Sequence, residues 1–452
     1  MTTKEDFRKE LVQILDVVAA ARMPRDNCFK IIDTEGKTLS FPNQIGSSYW
    51  RAIRILRLKS SNSGKLISDH ELETQLDRFL IGLKYASDQT KVKPEIDKHI
   101  VALFDILKKM KSTKYLFLIP VMNLRLATNI EIADSLLVTL NAQFLSSLES
   151  KYSIKFGIDR GPSQALEELT KENETQTFAI VVAEAPDNKR ALELAFLKAE
   201  TCLNVLRLYY SDASFVVRDE FKKSINRELV HFDLDERTYG ESLSAVNLVA
   251  NIPTTIDQNA IDKIRAGLEV INDLLGKRGD ELTPLQKDLL TALLWFGTAV
   301  KEDQRTMKFL QSITALEALL IPDGGTGKQE IIAKRFASIA YAPGSDSEKR
   351  EAYLDMRNLY EIRNSIIHSG EGYVYEDDLA KVMYWVQATI QIILHHARKF
   401  ATLKDLMSKQ FPVNEALYER PHSTSGFLNK LTRILSRRLA SIRMRKGFII
   451  KE

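Results

Sequence analysis

An arginine, an asparagine and a histidine stand within six residues at Arg363-Asn364-Ser365-Ile366-Ile367-His368, with Tyr360 three residues upstream. They supply a fixed cation, an amide and an imidazole that titrates near neutral pH. Such groups suffice to cleave RNA without a metal ion, because the nucleophile, a ribose 2′-hydroxyl, is carried by the substrate. On a helix running from Leu354 to His368, at about 100° per residue, Leu359, Ile362 and Ile366 share one side, the signature of a buried stripe. Arg357, Glu361, Asn364 and His368 fall opposite, and Arg363 lies at the border. Gly370 is placed to end the helix in a left-handed conformation. His368 then occupies the last turn, where free carbonyls and the helix dipole favour its protonated form. That is a position suited to general acid–base work.

The elements that must hold these residues read as a helical bundle. Thr283-Pro284 is a cap followed by a first-turn proline, and apolar periodicity predicts helices at about 284–300, 303–321, 328–341, 347–369 and 376–402. Their connections have the usual length for an up-and-down bundle. The stretch from Phe309 to Gly370, FLQSITALEALL…KRFASIAY…MRNLYEIRNSIIHSG, resembles the Apea-like branch of the HEPN superfamily over roughly residues 282–405. Tyr360-x-x-Arg363-Asn364-x-x-x-His368-x-Gly370 is similar to that family's Y-x-x-R-[SN]-x-x-x-H-G pattern, with Ser369 inserted before the glycine.

The resemblance implies an all-helical, usually dimeric domain and an endoribonuclease of phage-defence or toxin-like systems. It implies catalytic roles for Arg363, Asn364 and His368, supported by Tyr360, Arg357 and Glu361. Two copies of the motif helix would build one composite site, released by a phage-derived or protein trigger. No cofactor is expected, and Asp355, Glu361 and Glu371 do not show a two-metal spacing. The rival expectation is a non-catalytic bundle that dimerises and binds RNA or another ligand.

Upstream, residues 1–111 read as mostly helical, with Phe7, Leu11, Ile14, Leu15 and Val18 forming one stripe and Leu72, Leu76, Phe79, Leu80 and Leu83 another. Pro42, Gly46 and Ser60-Ser61-Asn62-Ser63-Gly64 mark Leu39–Lys65 as loop-rich. Residues 112–281 read as an α+β middle domain, a candidate sensor. There YLFLIPVMNLRL and NIEIADSLLVTL are strand runs joined about Ala127-Thr128 as a hairpin, and Pro120 assigns the first to a sheet edge or a bulge. Thr177–Ala185 is a further strand and leads into a helix. The fold class expected is therefore mainly α, with an α+β insertion before the bundle.

At 452 residues the chain exceeds one ordinary domain, and its 44% apolar and 27% charged content is that of a globular protein. No run approaches the roughly 18 apolar residues of a membrane span. The start, MTTKEDFRKELVQIL, has acidic residues and helical periodicity instead of a signal-peptide pattern. Cys28 and Cys202 are the two cysteines, a usage that fits a reducing cytoplasm and excludes a cysteine-based zinc cluster.

The net charge of +4 is concentrated at the end. Residues 406–452 read as a linker followed by a basic amphipathic helix, and residues 421–452 alone hold eight Lys or Arg against one acid. Lys430, Arg433, Arg437, Arg438, Arg443 and Arg445 are the candidate RNA contacts, alongside Leu428, Leu431, Leu435 and Leu439 on one face. An anionic membrane surface or a docking partner are the competing uses of such a helix.

Three weaker patterns complete the inventory. Gly324-Gly325-Thr326-Gly327-Lys328-Gln329 lacks the glycine and Ser/Thr of a phosphate loop and follows a helix, so it reads as an interhelical loop. His395 and His396 point about 100° apart, which favours packing or an interface over chelation. Trp50 beside Arg51 and Arg54 can grip phosphate and stack on a base, or form the solvated face of an ordinary amphipathic helix.

Overall fold

The computed structural model describes residues 4–20, 28–32, 38–42, 46–62, 67–84, 96–140, five positions between 144 and 151, 177–211, 216–217, 226–233, 239–245, 254–322, 326–370 and 373–418. It is mainly α, with 13 helices among those residues. None of them is long and apolar enough to cross a membrane. The chain divides into two compact units, each drawn from three stretches of sequence.

The first unit comprises residues 1–121, 135–199 and 217–249. Helices α1 (Lys4–Ala20), α2 (Gly46–Asn62), α3 (Asp69–Lys84) and α4 (Ile96–Lys109) turn their stripes onto one core built from Phe7, Leu11, Ile53, Leu56, Leu76 and Leu103, among others. The loop-rich reading of Leu39–Lys65 is corrected here. Strand β2 (Thr38–Pro42) pairs antiparallel with β1 (Cys28–Ile32), and α2 fills most of the remainder. Pro42 and Gly46 bracket the strand-to-helix junction and do not mark a long loop.

Beside these helices lies an antiparallel sheet. Its strands β3 (Thr113–Met122), β6 (Ser135–Thr139), β7 (Thr177–Ala185), β9 (Asn226–Asp233) and β10 (Tyr239–Ala245) run in the order β10-β9-β3-β7-β6. The hairpin expected about Ala127-Thr128 does not form, since β3 and β6 each pair with β7, which lies between them. Pro120 therefore sits in an interior strand, opposite Phe178. The ladder of β9 on β3 runs over Tyr115–Leu118 and stops short of it.

The second unit comprises residues 122–134, 200–216 and 250–452. A short parallel pair, β4 (Leu124–Leu126) with β11 (Thr254–Ile256), leads into α6 (Gln258–Leu275). Asn272 on that helix secures the preceding chain, accepting from the Ala133 N–H at 2.9 Å and donating to the Glu131 carbonyl at 3.1 Å.

The bundle follows as α7 (Pro284–Lys301), α8 (Arg305–Leu320), α9 (Lys328–Ala340), α10 (Asp346–Ser369) and α11 (Glu376–His396). These bounds lie close to those read from the sequence, except that α11 stops at His396. A separate α12 (Leu403–Gln410) and a short α13 (Glu415–Tyr418) occupy the region read as linker. Thr283 caps α7 and Ser345 caps α10, each in a reciprocal capping box with Gln286 or Glu348.

The last turns of α5 (Asn188–Arg207) belong to this unit and meet α7 closely. A Cβ at Gly297 would collide with the Asn204 side chain, so glycine alone fits there. Fully buried Arg207 is neutralised by Glu200 at 2.6 Å, and Lys301 of α7 reaches the same carboxylate at 2.7 Å.

Candidate functional site

Helix α10 carries every motif residue, and its geometry begins with its buried face. Ala352, Tyr353, Met356, Leu359 and Tyr360 are buried, the i, i+1, i+4, i+7, i+8 series of a core-facing helix. Continuing that series by three residues arrives at Arg363. The expected stripe of Leu359, Ile362 and Ile366 is thus rotated: Ile362 and Ile366 are half-buried, and Ile367 is 50% exposed. Arg363, expected at the border, is instead turned toward α8.

There it meets Glu317. The Arg363 Nη2 lies 3.0 Å from one carboxylate oxygen, with the two side chains 20% and 17% exposed. The Tyr360 hydroxyl donates to the same carboxylate at 2.7 Å, and the guanidinium stands 5.3 Å from the Tyr360 ring centroid. Burial first, then the hydrogen bond to Glu317, push the Tyr360 phenol above its usual range, so it stays protonated. The Arg363 Nη1 donates to the Asn364 amide oxygen at 3.2 Å, holding Asn364 beside the cation. Glu317 lies outside the sequence motif, within the run SITALEALL. Its signal was a lone acid inside an otherwise apolar helical run.

His368 stands apart from this group. It is exposed in the last turn of α10, and among the described residues no hydrogen bond or ion pair reaches its imidazole. Gly370 closes the helix with φ 68°, its N–H donating to the Ile366 carbonyl at 3.1 Å, the ending expected from sequence. Asn364 and His368 lie one turn apart on one side. Arg363 is five residues from His368, about 7.5 Å along the axis and roughly 140° around it. One copy of α10 therefore brings Arg363 and Asn364 together but leaves His368 directed elsewhere.

Arg357 and Glu361 do not join them. Arg357 faces α9, 3.4 Å from Glu330, a charge contact without hydrogen-bond alignment. Tyr353 donates to Glu330 at 2.6 Å, and Lys334 links that carboxylate to Glu415 of α13. Burial would push the Glu330 carboxyl up, but the Tyr353 hydrogen bond and the Arg357 and Lys334 charges hold it below its ordinary value. Arg357 thus belongs to a network tying α9, α10 and α13, and Glu361 points to solvent.

The remaining sequence candidates are also placed. His395 and His396 form an edge-to-face pair with ring centroids 5.2 Å apart, and His396 packs near Phe400 and Phe411. Burial and the neighbouring cationic groups push the His396 imidazole below its usual value. Helix α11 opens at Glu376, eight residues after His368, and His395 lies about 28 Å further along its axis, so the histidines occupy the end of α11 away from His368. Gly327 caps α9 with φ 71°, whereas Gly324 and Gly325 lie outside the described residues. So do Lys430, Arg433, Arg437, Arg438, Arg443 and Arg445.

Just beyond the α10 cap, Tyr373 and Tyr375 are exposed and set edge-to-face at 5.0 Å, with Arg305 of α8 donating to the Tyr373 hydroxyl at 3.3 Å. Among the described residues no group of three or more His, Cys, Asp or Glu side chains is arranged to hold a metal ion. No known protein family, curated protein or solved structure matches the chain.

Proposed function

We propose that this protein is a metal-independent endoribonuclease of HEPN type, working in the cytoplasm in phage defence or a toxin-like stress response. The observation that carries this reading is the polar end of α10. Arg363 is held in place by Glu317 and bonded to Asn364, and His368 projects into solvent one turn beyond Asn364.

In this reaction His368 takes the proton of a ribose 2′-hydroxyl as the oxygen attacks the adjacent phosphorus. Arg363 neutralises the charge that grows on the phosphorus oxygens. Its guanidinium has five N–H donors, enough to keep Glu317 and engage a phosphate together. Asn364 holds the phosphate or orients the imidazole. The P–O5′ bond breaks as the leaving 5′-oxygen takes up the proton that His368 relays, giving a 2′,3′-cyclic phosphate and a 5′-hydroxyl. Because Arg363 and His368 of one helix diverge, the complete site pairs two copies of α10 in a homodimer, with the half-exposed Ile367 in the contact.

The test is cleavage of RNA by the purified protein in EDTA. Wild type is expected to yield 2′,3′-cyclic phosphate ends, and His368→Ala none, with its folding unchanged. Cleavage retained by His368→Ala, or activity restored by adding magnesium after chelation, would overturn the reading.

One observation favours a second reading. The carboxylate of Glu317 already satisfies Arg363 and Tyr360, as a purely structural network would. On that reading the bundle dimerises and binds RNA or another ligand without cutting it. Binding by wild type with no cyclic-phosphate product would select it.

A further inference from the structure

Helix α2 presents a face that the bundle chemistry does not use. Tyr49, Ala52, Ile53, Ile55 and Leu56 are buried in the core of the first unit, which locks the helix in rotation. The residues left outside are Trp50, Arg51, Arg54, Arg57 and Leu58, an i, i+1, i+4, i+7, i+8 series. Trp50 is 54% exposed, its ring edge-to-face with Tyr49 at 5.5 Å. The helix also carries Lys59 and contains no aspartate or glutamate.

We infer that this face binds a single strand of RNA, with Trp50 stacking on a base and the arginines following the phosphates. The cations are spaced by one helical turn, and among the described residues no carboxylate pairs with Arg54. Arg51 stands 3.4 Å from Glu10, and Arg57 donates through Nε to Asp69 at 2.7 Å. Both arginine side chains remain more than half exposed, at 58% and 56%, while the buried Glu10 carboxylate and Asp69 orient their guanidinium groups. Exposed aromatic faces beside cations bind single strands without sequence preference, because every base has a π-face. A duplex hides those faces within its stack.

A lipid surface is the poorer occupant. An interfacial helix buries a broad apolar face among the lipids, and here that face is already sealed in the protein core, leaving Trp50 and Leu58 outside.

The inference is independent of catalysis and is tested with a 2′-O-methyl oligonucleotide, which cannot be cleaved by attack of its own hydroxyl. Affinity of the full-length chain is measured against salt. Trp50→Ala is expected to weaken binding about 5- to 150-fold, the range for losing one base stack, with Trp50→Phe restoring most of it. Arg54→Gln is expected to flatten the slope of log affinity against log salt by about 0.7. The C-terminal tail contributes equally in every variant and drops out of the comparison. Both side chains are exposed, so unchanged thermal unfolding is the control for folding. Equal affinity and equal slope in correctly folded Trp50→Ala and Arg54→Gln would overturn the proposal. So would variants that lose binding to phosphatidylserine vesicles while keeping the oligonucleotide.

Discussion

At the scale of single residues, the molecule separates two side chains that lie five apart in sequence. Arg363 continues the buried series of α10 and is held by Glu317, whereas His368 lies past the last buried turn. Substitutions should therefore behave differently. His368→Ala removes an exposed group, and its effect on stability should stay within about 0.5 kcal/mol, while cyclic-phosphate product disappears. Glu317→Ala strands a half-buried guanidinium and a phenol, and should cost about 1–3 kcal/mol by urea unfolding. Glu317→Gln keeps an acceptor for Tyr360 but loses the charge. If Glu317 positions Arg363 for phosphate, Glu317→Gln should slow cleavage about 100-fold, the scale of a small misplacement. Cleavage at the wild-type rate in a destabilised Glu317→Gln would assign the ion pair to folding alone.

At the scale of elements, helix ends and helix contacts decide where the site sits. Gly370 adopts φ 68°, a conformation that costs an L-residue roughly 1–2 kcal/mol. Gly370→Ala should lose about that much stability and fray the turn bearing His368, with Gly370→Asn losing less; equal unfolding midpoints for all three proteins would contradict this. The contact of α5 with α7 is electrostatic as well as steric. Burial pushes the Glu200 carboxyl up, but Arg207 and Lys301 outweigh it and hold the folded value below the usual carboxylate range. A lowered folded pKa contributes stability above the ordinary glutamate pKa, and that contribution is lost as pH falls through the lowered value. The acid limb of unfolding free energy against pH should therefore be shallower in Glu200→Gln than in wild type. Parallel limbs would show that Glu200 does not couple folding to pH.

At the scale of the whole molecule, charge is distributed unevenly along the chain. Residues 421–452 hold eight Lys or Arg and one acid against a total of +4, so the other 420 residues sum to −3. If about five tail cations neutralise phosphates, the salt slope for single-stranded RNA should be about −3.5. Removing residues 421–452 should flatten it while leaving cleavage chemistry in place. Identical slopes with and without the tail would show that it does not touch RNA.

The bundle was legible from sequence because its signals are local. Thr283-Pro284 marks the start of α7, Gly370 marks the end of α10, and apolar periodicity spans the helices between them. Each is settled by neighbours within about four residues, the reach of a helical turn. Two things required tertiary structure. Strand pairing is non-local: β7, some 40 residues after β6, inserts between β3 and β6, and no short-range signal at Ala127-Thr128 reports it. The rotation of α10 depends on what α8 offers it. The apolar residues Ile362, Ile366 and Ile367 allowed several choices of inner face. The Glu317 carboxylate selects the one that turns Arg363 inward, since a half-buried cation requires an opposite charge within reach. Sequence alone thus determined the helix, its cap and the set of polar side chains that the motif carries. Tertiary structure decided which of them face solvent and which face one another.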